Sequence, residues 1–154
     1  MINIRKANKE EVSDLQDLND EVFVDNQQYD PDLDMSWAQS DRGRKYFSNL
    51  FDSNNGICLI AEDGERKVGY IAGNKKEVSY RNSRYIELEN MGVIPEYRSK
   101  GIGKMLVKKF LEEAKLAGFQ KAYVNSYFKN SRAIDFYKRN GFSEIDLSLE
   151  MDIK

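Results

Sequence analysis

The chain has 154 residues, 40% of them hydrophobic and 32% charged, with a formal net charge of −2. This suits one globular domain over residues 1–154 with a real core, and no apolar run is long enough to cross a bilayer or serve as an export signal, so a cytoplasmic location without a membrane partner is expected. Histidine is absent and Cys58 is the single cysteine, which excludes serine triads, Cys–His pairs, His-based metal sites and an intrachain disulfide; no metal is expected.

Any acid or base must then be Asp, Glu, Lys, Tyr or Cys. Residues 1–64 carry 14 acidic and 6 basic side chains, and residues 65–154 carry 12 and 18. The first part suits a cation and the second an anion, unless these are simply solvated faces.

Ile2 and Ile4 alternate with polar residues as in a short strand. Asn8, with Glu11 three positions on, reads as a capping box opening a helix whose stripe is Val12, Leu15, Leu18 and Val22. Asp25 to Asp41 breaks the periodicity with five aspartates around Tyr29, Pro31, Met35 and Trp37. Its length favours a lid or binding loop over a plain connection, with Trp37 either lining a site or anchoring the loop to the core.

A second helix is predicted over Arg42 to Phe51. A hairpin follows, from Ile57–Glu62 through the turn Asp63-Gly64-Glu65-Arg66 to Val68–Gly73, with a polar connection from Asn74 to Arg84. The buried-looking setting of Cys58, Gly-Ile-Cys-Leu-Ile-Ala, marks it as a small core residue. The next strand, Tyr85 to Val93, changes phase: Ile86 and Leu88 are apolar at even positions, Met91 and Val93 at odd ones. A β-bulge near Glu89 and Asn90 explains the slip; a strand buried on both faces is the alternative.

Met-Gly-Val-Ile-Pro-Glu-Tyr-Arg-Ser-Lys-Gly-Ile-Gly-Lys, residues 91–104, joins that strand to a helix running from Ile102 to about Ala117. A helix N-terminus presents unpaired N–H groups and partial positive charge, Gly101 and Gly103 leave room, and Arg98, Lys100 and Lys104 add charge. The segment can hold phosphate or be a solvated basic turn. Lys104 is followed by Met105 instead of a hydroxyl residue, and the third position of a dinucleotide fingerprint is Leu106, so neither the Walker nor the dinucleotide motif is present. Ala122 to Tyr127 reads as a strand, Asn130 or Ser131 caps a short helix closing at Asn140-Gly141, and Phe142 to Ile153 supplies one or two last strands. The element order is mixed α/β.

The chain resembles the GCN5-related N-acetyltransferases over essentially its whole length. Arg98-Ser99-Lys100-Gly101-Ile102-Gly103 matches that family's Arg/Gln-x-x-Gly-x-Gly/Ala signature for acetyl-coenzyme A, and Asn130-x-x-Ala133-x-x-Phe136-Tyr137 with Asn140-Gly141-Phe142 matches its second signature. The resemblance implies a twisted, mostly antiparallel mixed sheet of six to seven strands, flanked by about four helices and bulged in the fourth strand. It implies acetyl-CoA as co-substrate. The backbone of Met91 and Val93 would pair with the pantetheine arm, the amides of Arg98, Ser99, Lys100, Gly101, Ile102, Gly103 and Lys104 would hold the pyrophosphate, and Asn130 would bond the pantetheine side, cap its helix, or both. Tyr137 would stand near the sulfur.

Acetyl transfer to an amine needs a neutral nitrogen, a polarised carbonyl and a proton for the departing thiolate. Glu89 is the first candidate for base, through water, with Glu87 in reserve; both can also be ordinary polar positions. Val93 N–H would polarise the carbonyl, and Tyr137 would be the acid or simply pack beside Phe136. Tyr29, Asp32, Trp37 and Glu87 are the candidate acceptor contacts. The expected acceptor is a primary amine on a small molecule, amino-acid derivative or peptide. A non-catalytic acyl-CoA sensor is the alternative, nucleic acid is not an expected partner, and dimerisation through the last strands is open.

Overall fold

The computed structural model describes all 154 residues. Five strands, β1 (Ile2–Lys6), β2 (Ile57–Asp63), β3 (Arg66–Lys76), β4 (Tyr85–Val93) and β5 (Lys121–Val124), form one sheet in chain order. The first three pairings are antiparallel, and β4 with β5 is parallel. The helices are α1 (Val12–Asn26), α2 (Asp41–Asp52), α3 (Ile102–Leu116) and α4 (Ser131–Arg139). The mixed α/β architecture and four helices match expectation. The strand count does not: residues 143–154 join no sheet, so the sheet has five strands rather than six or seven.

Local chemistry explains the element starts. Asn8 N–H donates to Glu11 Oε2 at 2.9 Å, closing the capping box, and Arg5 binds the same carboxylate at 2.6 Å. That pairing, above all, holds Glu11 down to about 2. The first helix is longer than its apolar stripe and takes in Asp25, shortening the acidic loop to residues 27–40. Ser40 caps α2, accepting from Gly43 N–H at 3.3 Å. β3 runs three residues past its apolar stretch because backbone pairing with β4 continues through Lys76 to Tyr85. β5 stops at Val124, short of the predicted Tyr127.

The sheet separates two cores. Leu59, Ala61, Val68, Ile71, Ile86 and Leu88 pack on α3 through Leu106, Val107 and Phe110, while Ile60, Tyr70 and Ala72 face Leu15, Leu18, Phe47 and Leu50 of α1 and α2. Met91 and Val93 join Ile86 and Leu88 on the α3 side. Ala72 pairs with Asn90 and Gly73 with Leu88, so Glu89 is the extra residue. The phase slip is therefore a bulge at Glu89.

Candidate active site

The bulge sets the site geometry. β4 pairs with β5 only from Tyr85 to Leu88, opposite Lys121 to Val124. From Glu89 to Val93 the strand is bonded on its β3 side alone, leaving an open edge where an extended ligand can add as a strand. The phosphate-loop candidate continues from this edge. Arg98 Nε donates to Val93 O at 2.8 Å, and its Nη2 pairs with Asp25 at 2.7 Å. The guanidinium thus braces the turn from within, and the exposed charge comes from Lys100 and Lys104.

Ser99 has φ 61° and Gly101, the residue before α3, has φ 82°. Both are left-handed, and such successive turns aim backbone N–H groups inward. Nothing lies within 4 Å of a Cβ built on Gly101. Gly103 differs from the expected open position: a Cβ there would come within 3.3 Å of Phe136 and 3.7 Å of Met91. It lets α4 seat against the start of α3. Ile102 is buried in the core, leaving its backbone as the part that can face a ligand. Asn130 is visibly a cap, its Oδ1 accepting from Ala133 N–H at 3.1 Å.

On the other face of β4, Glu89 begins a chain of polar contacts. Tyr46 Oη donates to Glu89 Oε1 at 2.8 Å, and Asn90 Nδ2 donates to Tyr46 Oη at 3.2 Å. Asn90 Oδ1 accepts from Tyr70 at 3.0 Å and from Asn19 at 2.6 Å. Asn19 also donates to Tyr70 Oη at 2.7 Å. Desolvation lifts the Glu89 carboxyl above its ordinary range; the Tyr46 bond opposes this, nearby Glu87 adds to it, and Lys76 opposes it. Burial also raises the Tyr46 and Tyr70 hydroxyls, so both stay protonated donors.

Tyr137 packs edge-on against Phe136 and Phe142, with ring centroids 5.3 and 5.6 Å away. Desolvation pushes its hydroxyl up to about 12. Its ring packs on the α3-side core.

A cavity of about 410 Å³ lies beside Glu89, lined by residues including Phe23, Asp32, Asp34, Trp37, Asn90 and Tyr127. It brings together Glu89, Asp32 and Trp37 from the predicted set. Glu87 is outside it, bound to Lys76 at 3.6 Å. Tyr29 is not among its lining residues and stacks on Tyr127, which is, with centroids 6.0 Å apart. Sequence reasoning gave no site role to Tyr46 or Tyr127, which only tertiary contacts bring to Glu89 or the cavity, and took Asn90 only as part of the bulge.

Most aspartates of the predicted Asp25–Asp41 stretch have structural partners. Asp25 pairs with Arg98, Asp30 accepts from Tyr127 at 2.9 Å, and Asp34 binds Ser36 and Arg42 at 2.6 Å each. The side chain of Asp32 has none. Trp37 lines the cavity and stacks on Phe23, 5.6 Å between centroids. Desolvation pushes the buried Cys58 thiol up to about 12, where it is inert. There is no cluster of three or more His, Cys, Asp or Glu able to hold a metal, and no helix is long and apolar enough to cross a membrane.

Residues 15–142 match the model of the acetyltransferase (GNAT) family. An uncharacterized N-acetyltransferase of Methanocaldococcus jannaschii is 32% identical over 102 residues, 66% of this chain and 45% of its own length. The chain thus spans less than half of that relative. A second uncharacterized N-acetyltransferase, from Archaeoglobus fulgidus, is 30% identical over 112 residues, covering 72% of each protein. Among solved structures, a predicted acetyltransferase of Clostridium acetobutylicum with acetyl-CoA superposes with a TM-score of 0.79 and 25% identity, over 99% of this chain and 96% of that one.

Proposed function

The chain belongs to the acetyltransferase (GNAT) family, and from that premise we propose that it transfers acetyl from acetyl-CoA to a cationic primary amine by direct attack within a ternary complex. The observation that carries this reading is the bulge at Glu89. It frees the β4 edge on one side for an extended thioester arm and presents a carboxylate to a cavity on the other.

In this reading the free edge at Met91 and Val93 pairs with the pantetheine arm, and the turn from Arg98 to Lys104 receives the pyrophosphate. Asn130 keeps one amide oxygen on its helix and has its Nδ2 to offer the ligand. Asp32 attracts the ammonium group, while Trp37, Phe23 and Tyr127 enclose its carbon skeleton. Glu89 takes the proton, directly or through water, so that a neutral amine attacks the thioester carbon. Val93 N–H stabilises the developing oxyanion. Tyr137, kept protonated by its raised pKa, gives its proton to the thiolate as the carbon–sulfur bond breaks.

The test is release of free thiol from acetyl-CoA with a panel of diamines, amino-acid derivatives and peptides. Turnover with cationic amines is expected, and Glu89→Gln should lower kcat/KM by about 10²-fold or more while cofactor affinity stays unchanged. Cofactor binding with no turnover across the panel would favour a sensor; an unaffected Glu89→Gln enzyme would remove Glu89 from the mechanism.

A further inference from the structure

Asn19 is a polar residue at a position of α1 where the helical period calls for an apolar one. It stands four places after Leu15 and three before Val22, on the side of the helix that faces the sheet, and it is fully buried. Asn is a poor helix former, and burying an amide is unfavourable unless its groups find partners. Its Nδ2 finds two, Tyr70 Oη at 2.7 Å and Asn90 Oδ1 at 2.6 Å. Its Oδ1 finds none, and it is the one buried side-chain polar atom of the chain without a protein partner. The amide is used as a double donor at the expense of its own acceptor.

Counting donors and acceptors fixes the rest of the chain. Tyr70 Oη receives the Asn19 N–H, so its single proton goes to Asn90 Oδ1 at 3.0 Å. Asn90 Oδ1 then accepts twice, and its Nδ2 has to point the other way, at Tyr46 Oη 3.2 Å off. Tyr46 Oη, already accepting, has its only proton for Glu89 Oε1 at 2.8 Å. Every link from Asn19 onward donates toward the carboxylate, while Glu89 Oε2, without a protein partner, is free for a ligand in the cavity that Glu89 lines. An amide turned end for end fills the same space, yet the opposite direction is worse. It would leave two Asn19 N–H groups unpaired instead of one carbonyl oxygen, and it would take the Tyr46 proton away from Glu89.

We propose, on the reading of Glu89 as the base, that Asn19 and Tyr70 are positioning residues for it: donating together to Asn90 Oδ1, they hold the Asn90 amide, and through it the Tyr46 proton, in the direction that stabilises the Glu89 carboxylate. Neither residue lines the cavity, and each acts through Asn90. One donor alone is enough to orient that amide, because turning it would strand a buried N–H of Asn19 or the buried O–H of Tyr70. Loss of both removes the preference, and Tyr46 then divides its proton between Asn90 and Glu89. The other polar and charged groups about Glu89 are Glu87 on its own strand, Lys76 on β3 and, around the cavity, Asp32, Asp34 and Tyr127. None of these belongs to the chain of donors, so none changes with it.

The experiment follows the Glu89 side-chain carboxyl by ¹³C NMR against pH in the full chain, a readout that needs no turnover. Asn19→Leu and Tyr70→Phe should each move the Glu89 midpoint little. The double variant should raise it by about one pH unit, because a carboxylate that loses a donor is harder to ionise, and the acid limb of kcat/KM should move with it. In a Tyr46→Phe background the same two substitutions should add no shift, the link to Glu89 being already cut. Neutron diffraction from a wild-type crystal above that midpoint should place deuterium on Asn90 Nδ2 facing Tyr46 and on Tyr46 Oη facing Glu89, which tests the direction even where a variant fails to fold. A double-variant shift that is only the sum of the single ones overturns the proposal, as does an equal shift in the Tyr46→Phe background or a neutron map with Asn90 Oδ1 facing Tyr46. Undiminished activity of Glu89→Gln overturns the base itself, and the positioning role with it, even where the cooperative shift is present.

Discussion

At the scale of single residues, Glu89 and Tyr46 form the pair on which the proposed chemistry turns. Desolvation and Glu87 raise the Glu89 carboxyl, and the Tyr46 hydrogen bond lowers it. A base must be deprotonated to act, so kcat/KM should rise with pH through the Glu89 pKa, with its acid limb above the ordinary glutamate value. In Tyr46→Phe the lowering contribution is gone. The limb should move to higher pH, with the rate restored on the alkaline side, as a pH–rate profile would register. A purely structural loss would depress the rate at every pH and leave the limb in place. Glu89 was identifiable from the sequence because a phase slip in an apolar strand is a local signal. Tyr46 lies 43 positions away on α2, and nothing near it in sequence marks the contact.

At the scale of elements, the bulge and the glycine facing it act together. Gly73 pairs with Leu88 just past the extra residue. A Cβ built on Gly73 would clash with the Glu87 carbonyl and come within 2.6 Å of the Phe110 ring, a fully buried residue of α3. Gly73→Ala should therefore cost about 3 kcal/mol in chemical denaturation, and it should weaken cofactor binding because it shifts the strand that carries the open edge. Helix starts were legible from capping residues: Asn8 with Glu11, and Asn130, all behave as their local chemistry dictates. Element ends were less so. β3 outlasts its apolar residues and β5 stops short of its own, since pairing partners, not side-chain pattern, set where a ladder ends. Gly103 was read as a space for ligand, and its Cβ position is filled by Phe136; which neighbour occupies a glycine's space depends on how helices pack.

At the scale of the whole molecule, a ligand that spans the β4 edge and the α3 N-terminus should couple sheet, turn and α4. Acetyl-CoA at about 100 times its dissociation constant should add about 2.7 kcal/mol, or roughly 5–10 °C in Tm for a chain of this size. Differential scanning calorimetry would show it, and the absence of a shift would count against the β4 edge and basic turn as the cofactor site. The charge asymmetry between the two parts of the chain resolves unevenly at this scale. The basic turn keeps Lys100 and Lys104 exposed, whereas most aspartates of the acidic loop are engaged with Arg98, Tyr127 and Arg42, leaving Asp32 toward the cavity. By itself the sequence determined the mixed α/β class, the helix starts, the bulge and the basic, glycine-flanked turn before α3, because each depends on residues within a few positions of one another. Tertiary structure alone decided that Tyr46, Tyr70 and Asn19 join Asn90 and Glu89 in one hydrogen-bonded chain, that Glu87 lies outside the cavity, and that the last apolar stripe finds no place in its own sheet. Those facts depend on which surfaces meet after the chain has folded, and contacts between residues 20 to 70 positions apart leave no periodicity to read.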